Sequence, residues 1–383
     1  MGLNYPATAS DYRHLAQRRL PRFLFDYIDG GAGDELTLAA NVADFAAVRL
    51  RQRVLVDVDR IDTAATLAGE ACAMPLALAP VGMAGMFARR GEAQAVRAAN
   101  AARVPYTLST VGICPLAEVA AASHAPFWFQ LYMIRDREVI AALLERAWSV
   151  GCRTLVFTVD LPLPGMRHRD TRNGVPARGA RAAMLKARQL LVRPGWIWNV
   201  ALRGRPLRFG NLVEQVRDAS DLRAFWAWVN AQFDASVTWR DIAWVRERWK
   251  GKLLIKGILD VEDARAAVES GADGIVVSNH GGRQLDSVAS SIAKLPAIAQ
   301  AVGGKTDVLL DGGVRSGTDI FKALALGARG VLIGRAWVWA LAGAGESGLR
   351  DLLDTLRREL VLAMTLAGVT RIADIDARHL DRN

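Results

Sequence analysis

Cysteine is scarce in this chain. Cys72, Cys114 and Cys152 lie far apart in 383 residues, with no CxxC pair and no metal-ligand spacing. A disulfide framework and a zinc site are therefore not expected, and a reducing compartment is the default. Long apolar runs are also missing. No stretch reaches about 18 consecutive apolar residues, so no spanning helix is expected. The opening "MGLNYPATASDYRHL" lacks a basic segment followed by an apolar one, so no secretory signal is expected either. Acidic residues are short in one place only. From Arg167 to Arg217, 12 Lys and Arg stand against two acids, Asp170 and Glu214. The rest of the chain balances at 37 of each sign, so this segment carries the whole net charge of +10.

Half the chain is hydrophobic (51%), enough for one large domain or two smaller ones. Short apolar runs alternate with amphipathic stretches. "LALAP" (76–80), "YTLS" (106–109), "FWFQLY" (127–132), "TLVFTVD" (154–160), "LLIKG" (253–257), "GIVVS" (274–278), "VLLDGG" (308–313) and "GVLIG" (330–334) read as strands. Their unbroken apolar character suits parallel strands covered on both faces. Between them lie helical patterns such as "VEDARAAVESG" and "GTDIFKALALG", each ending in a glycine that suits a helix C-cap. Eight strand–helix alternations predict an α/β fold, a (β/α)8 TIM barrel, with a doubly wound open sheet as the alternative. The whole chain, 1–383, reads as one domain. Residues 1–70 read as an N-terminal helical cap, 71–348 as the barrel, 168–235 as a long insertion after strand 4, and 349–383 as two C-terminal helices.

In a barrel, chemistry sits at the C-terminal ends of the strands. Those ends read Pro80, Val81, Gly82; Ser109; Gln130 and Tyr132; Thr158 and Asp160; Lys256; Ser278 with His280 and Arg283; Asp311, Gly312, Gly313; Gly334 and Arg335. Any one of these could be an ordinary loop residue, but the full ring is hard to explain that way. Of five histidines, only His280 follows a buried-looking strand and has an arginine three residues on. A neutral histidine can take a proton, and Arg283 can hold a carboxylate in a two-pronged grip. Gly281 and Gly282 between them allow a close backbone path and leave room for a ligand. Asp160 could orient the imidazole. Lys256 at a strand end requires either a carboxylate partner or a ligand whose negative charge it stabilises. "DGGVRSG" and "GRA", with Arg315 and Arg335, suit a phosphate after strands 7 and 8. "GAGESG" (343–348) matches GxGxxG, but it follows a helical run and is not expected to bind a dinucleotide.

"SNHGGRQLD", "DGGVRSGTDIFKALALGA", "IGRA", "FQLY", "TVDLP" and "IKGI" together resemble the FMN-dependent α-hydroxy-acid oxidising family, from about residue 20 to 375. "FLFDYIDGGA", "LRQRVLVDV", "LAPVGMAGMFARRGE" and "TLSTVGICP" resemble its bacterial respiratory L-lactate dehydrogenase branch. The resemblance implies FMN as cofactor, His280 as catalytic base and Asp160 as its partner. It implies that Arg283, Arg167 and Tyr27 hold the substrate carboxylate and that Tyr132 lies near the substrate hydroxyl. Pro80, Val81, Gly82, Ser109, Gln130, Thr158, Lys256 and Ser278 would surround the flavin ring. Asp311, Gly312, Gly313, Arg315, Gly334 and Arg335 would take the ribityl phosphate. Gly82 and Val111 depart from the alanine and tryptophan of plant glycolate oxidase, which leaves the substrate side chain open.

The implied reaction is oxidation of an L-2-hydroxy acid, L-lactate first, with mandelate dehydrogenase or glycolate oxidase activity as the alternatives. Quinone, or another respiratory acceptor, would take the electrons, since no haem domain is visible. A homotetramer follows from the resemblance. The basic segment 168–217, with Trp196 and Trp198, suits an anionic membrane surface at the cytoplasmic face of the bacterial inner membrane. Neither a metal nor nucleic acid is expected as a partner.

Overall fold

The computed structural model describes residues 5–175, 177, 179–213 and 231–381. Three helices lead: α1 (Ala9–Arg19), α2 (Arg22–Asp29) and α3 (Leu36–Ala47). Thr8 and Asp11 form a capping box that starts α1. Then comes an antiparallel hairpin, β1 (Ala65–Leu67) and β2 (Glu70–Cys72). Eight further strands follow. They are β3 (Leu76–Leu78), β4 (Thr107–Ser109), β5 (Trp128–Tyr132), β6 (Thr154–Thr158), β7 (Lys252–Ile258), β8 (Gly274–Val277), β9 (Asp307–Asp311) and β10 (Gly330–Ile333).

These eight pair in parallel in the order β4-β5-β6-β7-β8-β9-β10-β3. A parallel bridge between Leu78 and Tyr106 returns β3 to the β4 edge, where the Leu78 N–H donates to the Pro105 carbonyl at 2.8 Å. The sheet is therefore closed, a (β/α)8 barrel and not an open doubly wound sheet. Alternation along each strand sorts its side chains. Ala77, Trp128, Val156, Leu254, Val276, Leu309 and Leu332 fill the interior. Leu155, Phe157, Ile255, Ile275, Leu310 and Ile333 pack against the surrounding helices.

Residues 1–70, read as purely helical, also contain most of the β1–β2 hairpin. Its Leu67, Ala68 and Cys72 join the inner cluster and stopper the N-terminal end of the barrel. Three-residue strands are too short to show a period, which is why the pattern missed them. Glu70 sits at this end, its Oε1 accepting from Trp128 Nε1 and Thr154 Oγ1, both at 3.0 Å.

β3, β6, β8, β9 and β10 stop one or two residues earlier than the sequence suggested, which puts Asp160, Ser278, Gly313 and Gly334 on the rim loops, while β4 and β5 end where expected and β7 runs one residue further. At the C-terminus, the boundary expected near 349 falls inside one helix, Arg335–Ala367, broken at Gly345 (φ 71°, ψ −156°). Among the described residues, only 3-10 turns at Ile372–Asp374 and Ala377–His379 follow, in place of the two helices expected. "GAGESG" lies in the Arg335–Ala367 helix. A Cβ at Gly343 would stand 2.9 Å from Leu15 Cβ, and one at Gly348 would stand 3.2 Å from Tyr12 Cε1. These glycines let α1 lie close, and the motif is a packing feature.

The insertion holds helices His168–Arg172 and Ala180–Leu191, then turns at Pro194–Trp196 and Ile197–Leu202. Residues 214–230 of it, with Pro176 and Arg178, lie outside the described residues.

The Glu70 contacts generate a stability expectation. Glu70→Ala leaves two buried donors without an acceptor and should cost about 1–3 kcal/mol in urea unfolding. Glu70→Gln keeps an oxygen there and should stay near wild type.

Candidate active site

The buried lysine at the end of β7 comes first. Lys256 Nζ lies 2.9 Å from Asp311 Oδ2, at the end of β9, and donates to Ser278 Oγ at 3.0 Å. Burial pushes the ammonium toward neutrality, but Asp311 and Asp160 outweigh it and hold its pKa above the ordinary lysine value. Lys256 is thus a fixed positive charge inside the mouth of the barrel. Gly257 follows it with φ +113°, where a Cβ would stand 2.7 Å from Asp160 Cβ. This glycine is what lets Asp160 pack over the end of β7.

Asp160 Oδ1 meets His280 Nδ1 at 2.7 Å. Burial acts first on the imidazole and lowers its pKa, with Lys256 and Arg283 acting in the same direction against Asp160. His280 therefore rests neutral. With Nδ1–H donated to Asp160, its Nε2 is left as the acceptor. Asp160 stays ionised: burial pushes its pKa up, but His280 and Lys256 bring it below the usual carboxylate value.

The loop after β8 is unusual in its backbone. His280, Gly281 and Gly282 all have positive φ (55°, 64° and 71°). A Cβ at Gly281 would stand 2.7 Å from Arg335 Nη1, and one at Gly282 would stand 2.6 Å from Leu38 N. The glycines make room for Arg335 and the start of α3, not for a ligand as the sequence reading supposed. Strain of this kind in a non-glycine residue is typical of sites that fix a side chain for chemistry.

Asn279 and Asn41, which sequence reasoning missed, hold this loop through two mutual amide bonds of 2.9 Å. Asp286, at the end of "SNHGGRQLD", accepts from the Asp34 and Thr37 N–H groups at 2.9 and 2.8 Å and so caps α3.

Two arginines converge on Tyr27 of α2. Arg283 Cζ lies 5.0 Å and Arg167 Cζ 5.5 Å from the ring centroid. Arg283 Nη1 donates to the carbonyls of Tyr27 and Gly30 at 2.6 and 2.9 Å. Burial, helped by Arg167, lowers its pKa to about 10. Arg167 comes close because Gly165 sits on the Arg283–Gln284 backbone, where a Cβ would stand 2.2 Å from the Arg283 carbonyl oxygen. Gln284 clasps the same loop, donating to the Asp160 and Leu163 carbonyls at 2.8 and 3.0 Å. Tyr132 stands against Phe233, and burial raises its phenol pKa.

Two further partly buried arginines, Arg315 and Arg335, stand just beyond the ends of β9 and β10. Burial lowers the Arg315 pKa to about 10, and it lowers that of Arg335 further. Arg335 reaches the carbonyls of Asp29, Gly281 and Gly30 at 3.1, 2.8 and 2.8 Å. No salt bridge joins Arg167, Arg283, Arg315 or Arg335 to a carboxylate among the described residues. An anion at each pair would offset the desolvation that lowers the pKa values of Arg283, Arg315 and Arg335.

Several buried polar atoms in the same region also have no partner: Gln130 Nε2, Thr158 Oγ1, Asp311 Oδ1 and Asp160 Oδ2. Ser109 Oγ donates to Gln130 Oε1 at 3.0 Å, which leaves the amide nitrogen of Gln130 available. Pro80, Val81 and Gly82 are partly exposed where β3 opens to the mouth. A Cβ at Gly82 would stand 2.6 Å from Val111 Cγ2, so the two departures from glycolate oxidase are one packing unit. Gly312 and Gly313 have φ near +93° and +94°, and Gly334 precedes a helix whose first turn has no side-chain cap.

This is what a phosphorylated, hydrogen-bonding ring cofactor requires: free donors and acceptors, a fixed cation, a glycine-lined turn and unpaired arginines. The chain matches the model of the FMN-dependent dehydrogenase family over residues 16–382. It belongs to that family, and FMN is its cofactor. It is 55% identical over 370 residues to an L-lactate dehydrogenase of Caulobacter sp. (strain K31), covering 97% of both chains. It is 51% identical over 376 residues to the L-lactate dehydrogenase of Alcaligenes faecalis, covering 98% of this chain and 99% of that one. Among solved structures it superposes on a monotopic membrane protein, (S)-mandelate dehydrogenase, with TM-score 0.92 and 36% identity, covering 99% of this chain and 100% of that one.

Lys256→Met should leave Asp311 buried and unpaired and lower stability in urea by about 3–5 kcal/mol. Adding Asp311→Asn should recover part of that loss.

Proposed function

We propose that this chain oxidises an L-2-hydroxy acid to the 2-oxo acid, with L-lactate as substrate, and passes the electrons to a membrane quinone. The observation that carries this is the neutral His280, oriented by Asp160, beside the unpaired Arg167–Arg283 pair. A base and a carboxylate grip together suit an acid with an exchangeable proton. Curated relatives at 51–55% identity named L-lactate dehydrogenase favour lactate. The mandelate enzymes among the structural neighbours make mandelate the second reading.

In this reading Arg283 and Arg167, with Tyr27, bind the substrate carboxylate and so place Cα and the hydroxyl near His280. His280 Nε2 accepts a proton, and Asp160 stabilises the resulting imidazolium through Nδ1–H. Tyr132 would hydrogen-bond the hydroxyl oxygen. Ser109, Gln130, Thr158, Ser278 and Lys256 would hold the flavin ring, with Pro80, Val81 and Gly82 alongside. Asp311, Gly312, Gly313, Arg315, Gly334 and Arg335 would hold the ribityl phosphate. FMN, when bound, supplies the two-electron acceptor. Lys256, kept charged by Asp311, is suited to stabilise negative charge on it.

The insertion supports attachment to an anionic membrane surface. Leu163 (68% exposed) and Met166 (74%), just before it, and Leu191 (75%) and Trp198 (54%), within it, are exposed. Exposed Arg172, Arg181, Arg188, Arg203, Arg205 and Arg208 are interspersed with the insertion's apolar residues. Arg203 stacks on Trp198 at 4.9 Å. Trp196 does not take part as the sequence reading had it, since it is buried and donates to the Met86 carbonyl at 2.8 Å. No helix among the described residues is long and apolar enough to cross a membrane. Attachment would therefore be at the interface, and we place it at the cytoplasmic face, as a homotetramer.

The test is turnover of L- and D-lactate, glycolate and both mandelates with an artificial acceptor. L-lactate should have the highest kcat/KM, and preference for mandelate would overturn that choice. His280→Gln should retain FMN and lose about 10²–10⁴-fold in kcat. The depressed His280 pKa sets the pH profile: the base must be neutral, so kcat/KM should hold as pH falls and drop only below the ordinary histidine value of about 6.5. Deleting residues 180–210 should move the protein from the membrane fraction to the supernatant.

A further inference from the structure

Helix α2 has only eight residues. Isolated helices this short do not hold themselves. Yet Tyr27 hangs from it, and the carbonyls at its C-terminal end receive both Arg283 and Arg335. What fixes α2 therefore fixes the grip on the carboxylate.

Much of what fixes it comes from the insertion. At the N-terminal end, Gln189 Oε1 accepts the Phe23 N–H at 2.8 Å. At the C-terminal end, Asn173 Nδ2 donates to Asp26 Oδ2 at 2.6 Å. Asp29, 4% exposed, receives Arg13 of α1 at 2.6 and 2.8 Å and Arg169 at 2.9 Å. Arg169 also pairs with Glu35, whose other oxygen accepts the Gly31 N–H at 2.9 Å. One guanidinium thus spans the end of α2 and the turn that follows it. It stands two residues after Arg167, the other half of the grip.

We infer that Arg169 is a positioning residue for the substrate carboxylate: through Asp29 and Glu35 it holds Tyr27 in register with Arg167 and Arg283. The insertion is then part of the site as well as a surface patch. This rests on the reading of Tyr27 and Arg167 as carboxylate groups. Losing Arg169 does not strip Asp29 of a partner, because Arg13 stays in place. The fold should therefore persist while the turn 30–35 loses its side-chain link to α2 and keeps its main-chain bonds to Gly282 and Met166.

The test uses FMN-loaded enzyme and oxalate, a non-reacting dicarboxylate whose binding is read from the flavin absorbance, alongside steady-state rates with L-lactate. Arg169→Gln should weaken oxalate binding and raise KM by about tenfold, with kcat changed by less than about twofold and FMN content unaltered. Arg169→Lys, which keeps the charge, should recover part of that loss. In a Tyr27→Phe background, Arg169→Gln should have much less effect on oxalate, since its action passes through that side chain. An undiminished loss in that background, or oxalate binding like wild type in Arg169→Gln, overturns the inference. Should Arg169→Gln not fold, Glu35→Gln cuts one arm alone and should weaken oxalate severalfold, and unchanged binding there also overturns it. If Tyr27→Phe by itself leaves oxalate binding unchanged, the site reading fails, and this inference with it.

Discussion

Positive charge held away from water, without carboxylate partners, is the constraint on which the site depends. Arg283, Arg315 and Arg335 are partly buried cations whose pKa values desolvation has pulled down. An unpaired buried cation is costly unless a ligand completes it. The protein lowers that cost with main-chain carbonyls: those of Tyr27, Asp29, Gly30 and Gly281 accept from Arg283 or Arg335, and that of Val314 from Arg315. Nearby carboxylates are drawn off to other cations, Asp29 to Arg13 and Arg169, and Asp311 to Lys256. The arginines are left free for anions from outside.

The same logic separates the acid–base pair from the carboxylate grip. Asp160 pairs with His280 and feels Lys256, so it remains an anion in a buried place. His280 is left neutral by burial and by the cations around it. A base that starts neutral beside two unpaired arginines is consistent with a substrate that brings one negative charge and gives up a proton. The barrel's N-terminal end, closed by the hairpin and Glu70, contributes to the fold and leaves the other rim for chemistry.

Much of this was legible along the chain. Eight apolar strands with polar ends were visible because parallel strands buried on both faces have few other ways to be written. His280 stood out because one histidine alone followed such a strand with an arginine nearby. The β1–β2 hairpin was not legible, since three-residue strands show no period. Nor were Asn41, Asn279, Asp29 and Arg169, whose partners lie more than 100 positions away or in another element. The glycines after His280 were noticed but misassigned, because a sequence shows that space is needed and not which group will fill it. Trp196 and Trp198 look alike in sequence, yet one is a buried anchor and the other an exposed surface group.

By itself, then, the sequence determined the barrel, the ring of polar strand ends, the family and a concentrated basic segment. These follow from local periodicity and from motifs written in consecutive residues. The tertiary structure decided which of those charges are spent on one another and which are free. It paired Lys256 with Asp311 and His280 with Asp160, left Arg167 and Arg283 without a carboxylate partner among the described residues, and bound the short helix of Tyr27 to the insertion. Such choices depend on distances between residues far apart in the chain, and only closure of the barrel sets those distances.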